Sequence, residues 1–381
     1  MLKDTILLII GLGLGQAFTL LTNFILIKSL DSNEYSVYVF ILSIATASVT
    51  SLLSSYNRIK VAQKSPIQNK DILGIPILLG GVACFVMYFL TNEVKNAILC
   101  FFLAISLCIF EIGRTSVQSD ANFKKLSIYS SLRSIIFFIF VLLLNFTIDS
   151  IYNIYVTMLL CLSYITIGGL LISSSGNKDK ITNENKIGFR NILLIIYFFA
   201  LPYVSQIPLI ILNKDSSAYD VSVFSVALSL IAALNTVVLA MKKVLIVKLR
   251  DGVSKNSVLI TTSVVIVLFF FIMIFFQIFG EQVFYYYTSG KYVDSNDVFL
   301  VLLISVFITI MFSPTSEKIQ LKGEYWLLII ALLFSLVSAY IFEILSTVKS
   351  SSIHAAFTYV IIFSTLNVTM FILNSVKNKG G

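Results

Sequence analysis

The chain has 381 residues, of which 58% are hydrophobic and only 12% charged, with 27 Lys/Arg against 19 Asp/Glu. Soluble globular domains carry roughly 25% charged residues, so this composition excludes a soluble enzyme or carrier. The net charge of +8 does not point to nucleic acid, because the cations sit in short connections beside apolar runs, where membrane topology accounts for them.

A hydrocarbon core about 30 Å thick takes about 20 residues of helix. Twelve apolar runs of that order are predicted as spans: Thr5–Ile27, Tyr35–Ser55, Ile72–Leu90, Asn96–Gly113, Ile128–Phe146, Ile151–Ile172, Phe189–Leu212, Val221–Met241, Ser257–Phe279, Asp297–Ser313, Tyr325–Leu345 and Ile353–Asn374. Lys3 before the first run invites a signal-peptide reading. That run is too long, lacks a small-x-small cleavage site and is followed by eleven more. Alternate connections differ sharply in cations. The side that holds the N-terminus carries 22 Lys/Arg, and the other carries five, Lys28, Lys95, Lys214, Lys291 and Lys349. By the positive-inside rule both termini are expected in the cytoplasm.

Two polar connections stand out, Ser173–Gly188 and Gly280–Asn296. The first is rich in Ser, Gly and Asn and falls at the chain midpoint, which predicts a linker. The expected organisation is therefore a six-helix lobe over residues 1–175, a cytoplasmic linker over 176–188 and a second six-helix lobe over 189–381. A repeat supports it. Ser32-Asn-Glu-Tyr-Ser-Val-Tyr-Val-Phe40 and Ser216-Ser-Ala-Tyr-Asp-Val-Ser-Val-Phe224 agree at five of nine positions, at an offset of 184. Six helices per lobe bring both lobes into the membrane in one orientation. That predicts an all-α polytopic protein, its lobes related by a pseudo-two-fold along the membrane normal around a central cavity.

The first helix of each lobe carries residues that loosen helices: Gly11, Gly13 and Gly15 in one, Pro202 and Pro208 in the other. As hinges they would mark moving parts of a transporter; as small residues the glycines would let helices pack closely. A polar stripe runs along the same helices, with Gln16, Thr19 and Asn23 on the first and Tyr203, Gln206 and Asn213 on the seventh. It must face protein or water rather than lipid. Helix–helix hydrogen bonding and a sugar-binding wall account for it equally.

Glu111 lies in an apolar run with Arg114 one turn on, near the end of the predicted span. Embedded acids are functional candidates by default, so Glu111 is a candidate coupling group, and an ion pair with Arg114 is the structural alternative. Arg58, Arg133, Lys242 and Lys243 lie near span ends, where snorkelling anchors are ordinary. The repeat pairs Arg58 with Lys242 at the cytoplasmic mouth of the expected cavity, where guanidinium forks suit phosphate oxygens. Cys84, Cys100, Cys108 and Cys161 lie inside spans without C-x-x-C spacing and are expected to be small buried hydrophobes. His354, the single histidine, is expected at the outer membrane interface. No phosphate-binding loop, metal site or cofactor is predicted.

With twelve spans in two sixes and Leu30-Asp-Ser-Asn-Glu-Tyr-Ser-Val-Tyr38 before the second, the chain resembles the multidrug/oligosaccharidyl-lipid/polysaccharide exporter superfamily. Members commonly show a Leu-x-x-x-Glu-Tyr-Gly-x-Tyr-like run there; Ser36 stands here in place of the glycine. Within the superfamily the chain is most similar to Wzx-type O-antigen flippases. The resemblance implies a bacterial inner-membrane protein that moves an undecaprenyl-diphosphate-linked oligosaccharide outward by alternating access. Membrane lipids, a polysaccharide polymerase and a chain-length regulator are the implied partners. It also implies that cavity cations map onto Arg58 and Lys242. Members often carry a cation inside the first helix, and here none precedes Lys28. A multidrug antiporter of the same superfamily is the alternative, and would want an acidic cavity. A membrane polysaccharide polymerase would want a large external loop, and none is predicted.

Overall fold

The computed structural model describes residues 2–63, 69–119, 123–148, 152–174, 189–250, 255–346 and 351–379; the predicted linker 176–188 lies outside them. The described residues form twelve helices: α1 Leu2–Ser29, α2 Ser32–Gln63, α3 Asn69–Thr91, α4 Val94–Ser119, α5 Phe123–Thr147, α6 Asn153–Ser174, α7 Phe189–Asp215, α8 Ala218–Arg250, α9 Lys255–Thr288, α10 Ser295–Lys322, α11 Tyr325–Leu345 and α12 Ser352–Lys379. Eleven are long and apolar enough to cross a membrane. The exception is α2, where Ser and Thr interrupt the apolar run. Ser48 and Ser51 on it are fully buried and donate to the carbonyls of Ile44 (2.8 Å) and Ser48 (2.7 Å). These hydroxyls are satisfied by α2's own backbone, and α4, α3 and α6 pack on it, which lowers the cost of carrying them in apolar surroundings.

Several helices run past their predicted spans, α2 to Gln63, α8 to Arg250 and α10 to Lys322 among them, and two of the extensions bear on residues singled out from the sequence. α4 runs on to Ser119, so Glu111 and Arg114 stand inside a helix and Arg114 does not end it. α9 runs on to Thr288, so most of the predicted external stretch from Gly280 is helical. Neither extension contains Pro, so every residue can donate its N–H to the helical ladder. α1 and α7 are each unbroken, despite their glycines and prolines.

Contacts divide the chain into two compact units. The first takes Met1–Gly188 with the middle of α7, Phe198–Gln206; the second takes Phe189–Tyr197 and Ile207–Gly381. Within the first unit Tyr203 of α7 donates its hydroxyl to Ser48 of α2 at 2.9 Å. Within each unit corresponding helices pack: α2 on α4 and α8 on α10, α3 on α4 and α9 on α10, α4 on α6 and α10 on α12. An acid at the start of the second helix of each unit repeats one task. Glu34 accepts the first N–H of α6, from Asn153 at 2.7 Å, and Asp220 accepts the first N–H of α12, from Ser352 at 3.4 Å. Each satisfies an orphan donor at the positive end of a helix dipole. α4 is the centre of its unit, with 67% of its span window buried, whereas α9 has 11% buried and presents its Phe, Leu and Ile side chains outward, as a lipid-facing helix does.

Candidate functional site

The site is built on a glycine contact between α4 and α6. A Cβ on Gly168 would stand 2.9 Å from the backbone N and Cα of Phe110, and one on Gly113 would stand 2.9 Å from the Gly168 carbonyl oxygen. The two helices therefore meet backbone to backbone. Tyr164, one turn before Gly168, packs its ring on Phe110 with centroids 5.3 Å apart. α5 delivers Arg133 onto these rings. Its guanidinium carbon lies 4.8 Å from the Tyr164 centroid and 5.9 Å from that of Phe110, within cation–π range.

The fourth wall is α1, held to α5 along a second glycine seam. Ser131 Oγ donates to the Gly11 carbonyl at 2.7 Å. Thr19 Oγ1 donates to the Gly15 carbonyl at 2.9 Å and lies 3.3 Å from Ser134 Oγ, within hydrogen-bond distance. Ser134 Oγ in turn accepts from Arg133 Nη2 at 2.6 Å. A Cβ on Gly11 would stand 1.7 Å from Ser127 Oγ, whereas one on Gly13 would meet nothing within 4 Å. Gly11 thus serves close packing, a Cβ on Gly15 would make ordinary contact at 3.6 Å, and Gly13 faces away from the seam.

Between these walls lies a cavity of about 150 Å³, lined by Gly11, Leu12, Gly15 and Gln16 of α1, Phe110, Glu111 and Arg114 of α4, Ser130, Arg133 and Ser134 of α5, and Tyr164 of α6. Glu111 Oε1 and Arg114 Nη1 form an ion pair at 2.7 Å, with 23% and 28% of their side chains exposed. Arg114 Nε and Ser130 Oγ are buried without a hydrogen-bond partner, so two donors of the wall are unspent. Arg133 has no acid within ion-pair distance among the described residues. Two guanidiniums and one carboxylate leave the cavity formally positive. Its volume is below the 300 Å³ or more of pockets that enclose drug-sized ligands. It suits one charged group of a larger ligand, not a whole cargo.

Of the residues predicted from sequence, Gln16, Glu111, Arg114, Arg133, Gly11 and Gly15 are brought together here. Asn23, two turns further along α1, does not line the cavity. Gln206 is on α7 with its Oε1 buried and unpartnered; Pro202 is half-buried and Pro208 buried on the same helix. Lys242 is half-buried on α8. Arg58 and Lys243 lie on α2 and α8, and their side chains fall outside the described residues. Tyr164, Phe110, Ser130 and Ser134 were not singled out, because aromatic and Ser residues in apolar runs read as core. His354, near the start of α12, is 7% exposed, with Glu343 and Ser346 on its two ring nitrogens and Phe342 stacked on the ring.

The sequence matches no protein-family model and no curated protein. Solved structures resemble it along its whole length. An outward-facing multidrug resistance MATE family transporter of the MOP superfamily superposes with a TM-score of 0.68 at 15% identity, covering 100% of this chain and 95% of that one. An inward-facing MATE transporter superposes at 0.62 and 15% identity, covering 96% and 95%. A MOP superfamily transporter from Pyrococcus furiosus superposes at 0.63 and 15% identity, covering 98% and 95%. The chain has the all-helical, two-lobed fold of MATE-type membrane transporters.

Proposed function

We propose that this chain is a flippase for a diphosphate-linked lipid oligosaccharide, carrying it across the bacterial inner membrane by alternating access with both of its own termini cytoplasmic. The observation that carries this reading is Arg133. Its guanidinium lies over Tyr164, lines the first unit's cavity and has no acid partner among the described residues. Arg114 adds an unspent Nε beside it. Guanidinium forks match phosphate oxygens, while Gln16 and Ser130 offer hydrogen bonds of the kind a sugar takes.

The physical need is clear. Phosphates and sugars cannot cross hydrocarbon unaided, since each unsatisfied polar group there costs several kcal/mol. A positive cradle holds the anionic group while the polyprenyl tail stays among lipid chains. Arg58, Lys242 and Lys243 belong in this proposal as further cationic contacts near the cytoplasmic ends of α2 and α8. Membrane lipids, a polymerase and a chain-length regulator are its expected partners.

The second reading is export of cationic drugs. Glu111 in the same cavity favours it, as do similar structures that are multidrug resistance transporters. The Pyrococcus furiosus transporter is described as having a binding pocket of reverse polarity that suggests a different function, so pocket polarity is a reasonable discriminator. Here Arg114 neutralises Glu111 and Arg133 sets the sign.

Deletion of the chromosomal copy in the source bacterium tests the proposal. Loss of surface polysaccharide with accumulation of lipid-linked repeat units inside the cell is expected. Unchanged polysaccharide with new sensitivity to cationic drugs would favour the second reading.

A further inference from the structure

Another cavity lies on the far side of the α1–α5 seam, away from Arg133. It is a groove of about 350 Å³. Ile10 and Leu14 of α1 form one wall and Ile128, Leu132 and Ile135 of α5 the other, over a floor of Gly11, Ser127 and Ser131. Ser131 Oγ donates to the Gly11 carbonyl at 2.7 Å and the Ser127 carbonyl lies 3.0 Å from it, so this hydroxyl is spent within the seam. One charged residue lines the groove, Lys124. It is exposed and stands at the first position of the membrane-crossing stretch Lys124–Thr147. No acid lies within ion-pair distance of it among the described residues. Asp120 and the side chains of Lys3 and Asp4 lie outside them.

We propose that this groove binds an anionic glycerophospholipid, with one acyl chain along Ile128, Leu132 and Ile135 and the headgroup phosphate on Lys124. The length fits. Lys124 and Ile135 are eleven positions apart on α5, which is about 16 Å at about 1.5 Å per residue. Half of a hydrocarbon core about 30 Å thick is about 15 Å. The groove thus spans one leaflet, with its cation at headgroup depth. In the proposed topology that leaflet is the cytoplasmic one.

Charge selects among lipids. Acyl chains are as apolar as the groove, so the chain contributes packing and not a hydrophobic gain. Discrimination therefore falls to Lys124. A zwitterionic headgroup brings its own ammonium to its phosphate, whereas an anionic one leaves that charge to the lysine. The occupant is a molecule separate from the cargo. Ser130, Arg133 and Ser134 line the opposite side of the seam, and the approach of Gly11 to Ser127 closes the way between. Gly11 is nevertheless a wall of both cavities. A chain seated in the groove therefore backs the seam whose other side carries Arg133. This inference holds for any cargo.

The test uses the full chain in detergent, stripped of lipid and titrated with dioleoyl phosphatidylglycerol or dioleoyl phosphatidylcholine, with native mass spectrometry as the readout. The wild type is expected to hold one phosphatidylglycerol about fivefold more tightly than phosphatidylcholine, the preference that one membrane-surface lysine supplies. Lys124→Gln should remove the preference. Lys125→Gln takes the same charge from a neighbour that does not line the groove, and should keep it. Ile128→Trp fills the groove and should release both lipids. Phosphatidylglycerol should also raise the thermal unfolding midpoint of the wild type more than that of Lys124→Gln. Equal retention of the two lipids by the wild type overturns the site, as does the same loss in Lys124→Gln and Lys125→Gln. A folded Ile128→Trp protein that keeps the preference overturns the seat of the chain. Displacement of phosphatidylglycerol by undecaprenyl phosphate, with the same dependence on Lys124, would give the groove to a polyprenyl tail and overturn the phospholipid assignment.

Discussion

Arg133 is the residue on which the sign of the first unit's cavity turns, since Glu111 and Arg114 cancel. Hydrogen bonds to charged groups are worth about 1.5–3 kcal/mol, and about 1.4 kcal/mol is tenfold in an equilibrium. Arg133→Gln is therefore expected to lower flipping at least about tenfold at unchanged membrane levels, and Arg133→Lys to recover only part because the fork and the stacking on Tyr164 are lost. Rates at matched protein amounts check this; a fully active Arg133→Gln would remove the residue from the proposal. The Glu111–Arg114 pair calls for a different pattern. Removing one charge leaves the other embedded and unpaired, which costs more than a neutral pair. Glu111→Gln should thus reduce folded protein, and Arg114→Gln in the same chain should restore part of it. Fluorescence-detected size exclusion in detergent reads both effects. Restoration of folded protein by the second substitution is the outcome expected of an ion pair whose first duty is structural.

At the scale of elements, two glycine contacts set the site: α4 on α6 through Gly113 and Gly168, and α1 on α5 through Gly11. Gly168→Ala would put a Cβ 2.9 Å from the Phe110 backbone, and backbone cannot give way as a side chain can. Overpacking of this kind costs about 1–3 kcal/mol, and parting the helices would lift Tyr164 from Arg133. Gly168→Ala is expected to lower both thermal stability and flipping, and Gly13→Ala, which meets nothing, to change neither. Thermal unfolding in detergent separates them, and equal stability of the two variants would contradict the close-contact account. These contacts also mark where sequence legibility ends. Apolar runs announced all twelve helices, because burial in lipid demands length and hydropathy of each helix separately. The acid and cations of α4 and α5 stood out for the same reason. Which helices touch depends on single glycines, and periodicity does not distinguish a glycine at a crossing from one such as Gly13 that faces outward. His354 and Glu343 come from two different helices, so their meeting lay beyond any single-helix pattern.

For the whole molecule, charge bias and the internal repeat make two separate statements. The cation asymmetry of the connections is the basis of the proposed orientation. Asn183→Cys in the linker should react with an impermeant maleimide only in opened cells, and Lys291→Cys between α9 and α10 should react in intact spheroplasts; the reverse pattern would invert the proposed topology. The repeat is seen in matching helix pairs and in the acids Glu34 and Asp220, which cap α6 and α12. A duplicated fold of this kind serves transporters of differing cargo, so cargo must be read from the site and not from the fold. The central claim is that the cargo is an anionic lipid-linked oligosaccharide and not a cationic drug. Its most direct test is a side-by-side proteoliposome measurement of outward movement for a fluorescent undecaprenyl-diphosphate-linked oligosaccharide and for ethidium. The account predicts movement of the lipid, lost in Arg133→Gln, with ethidium flux no greater than in empty liposomes; ethidium export without lipid movement would contradict it.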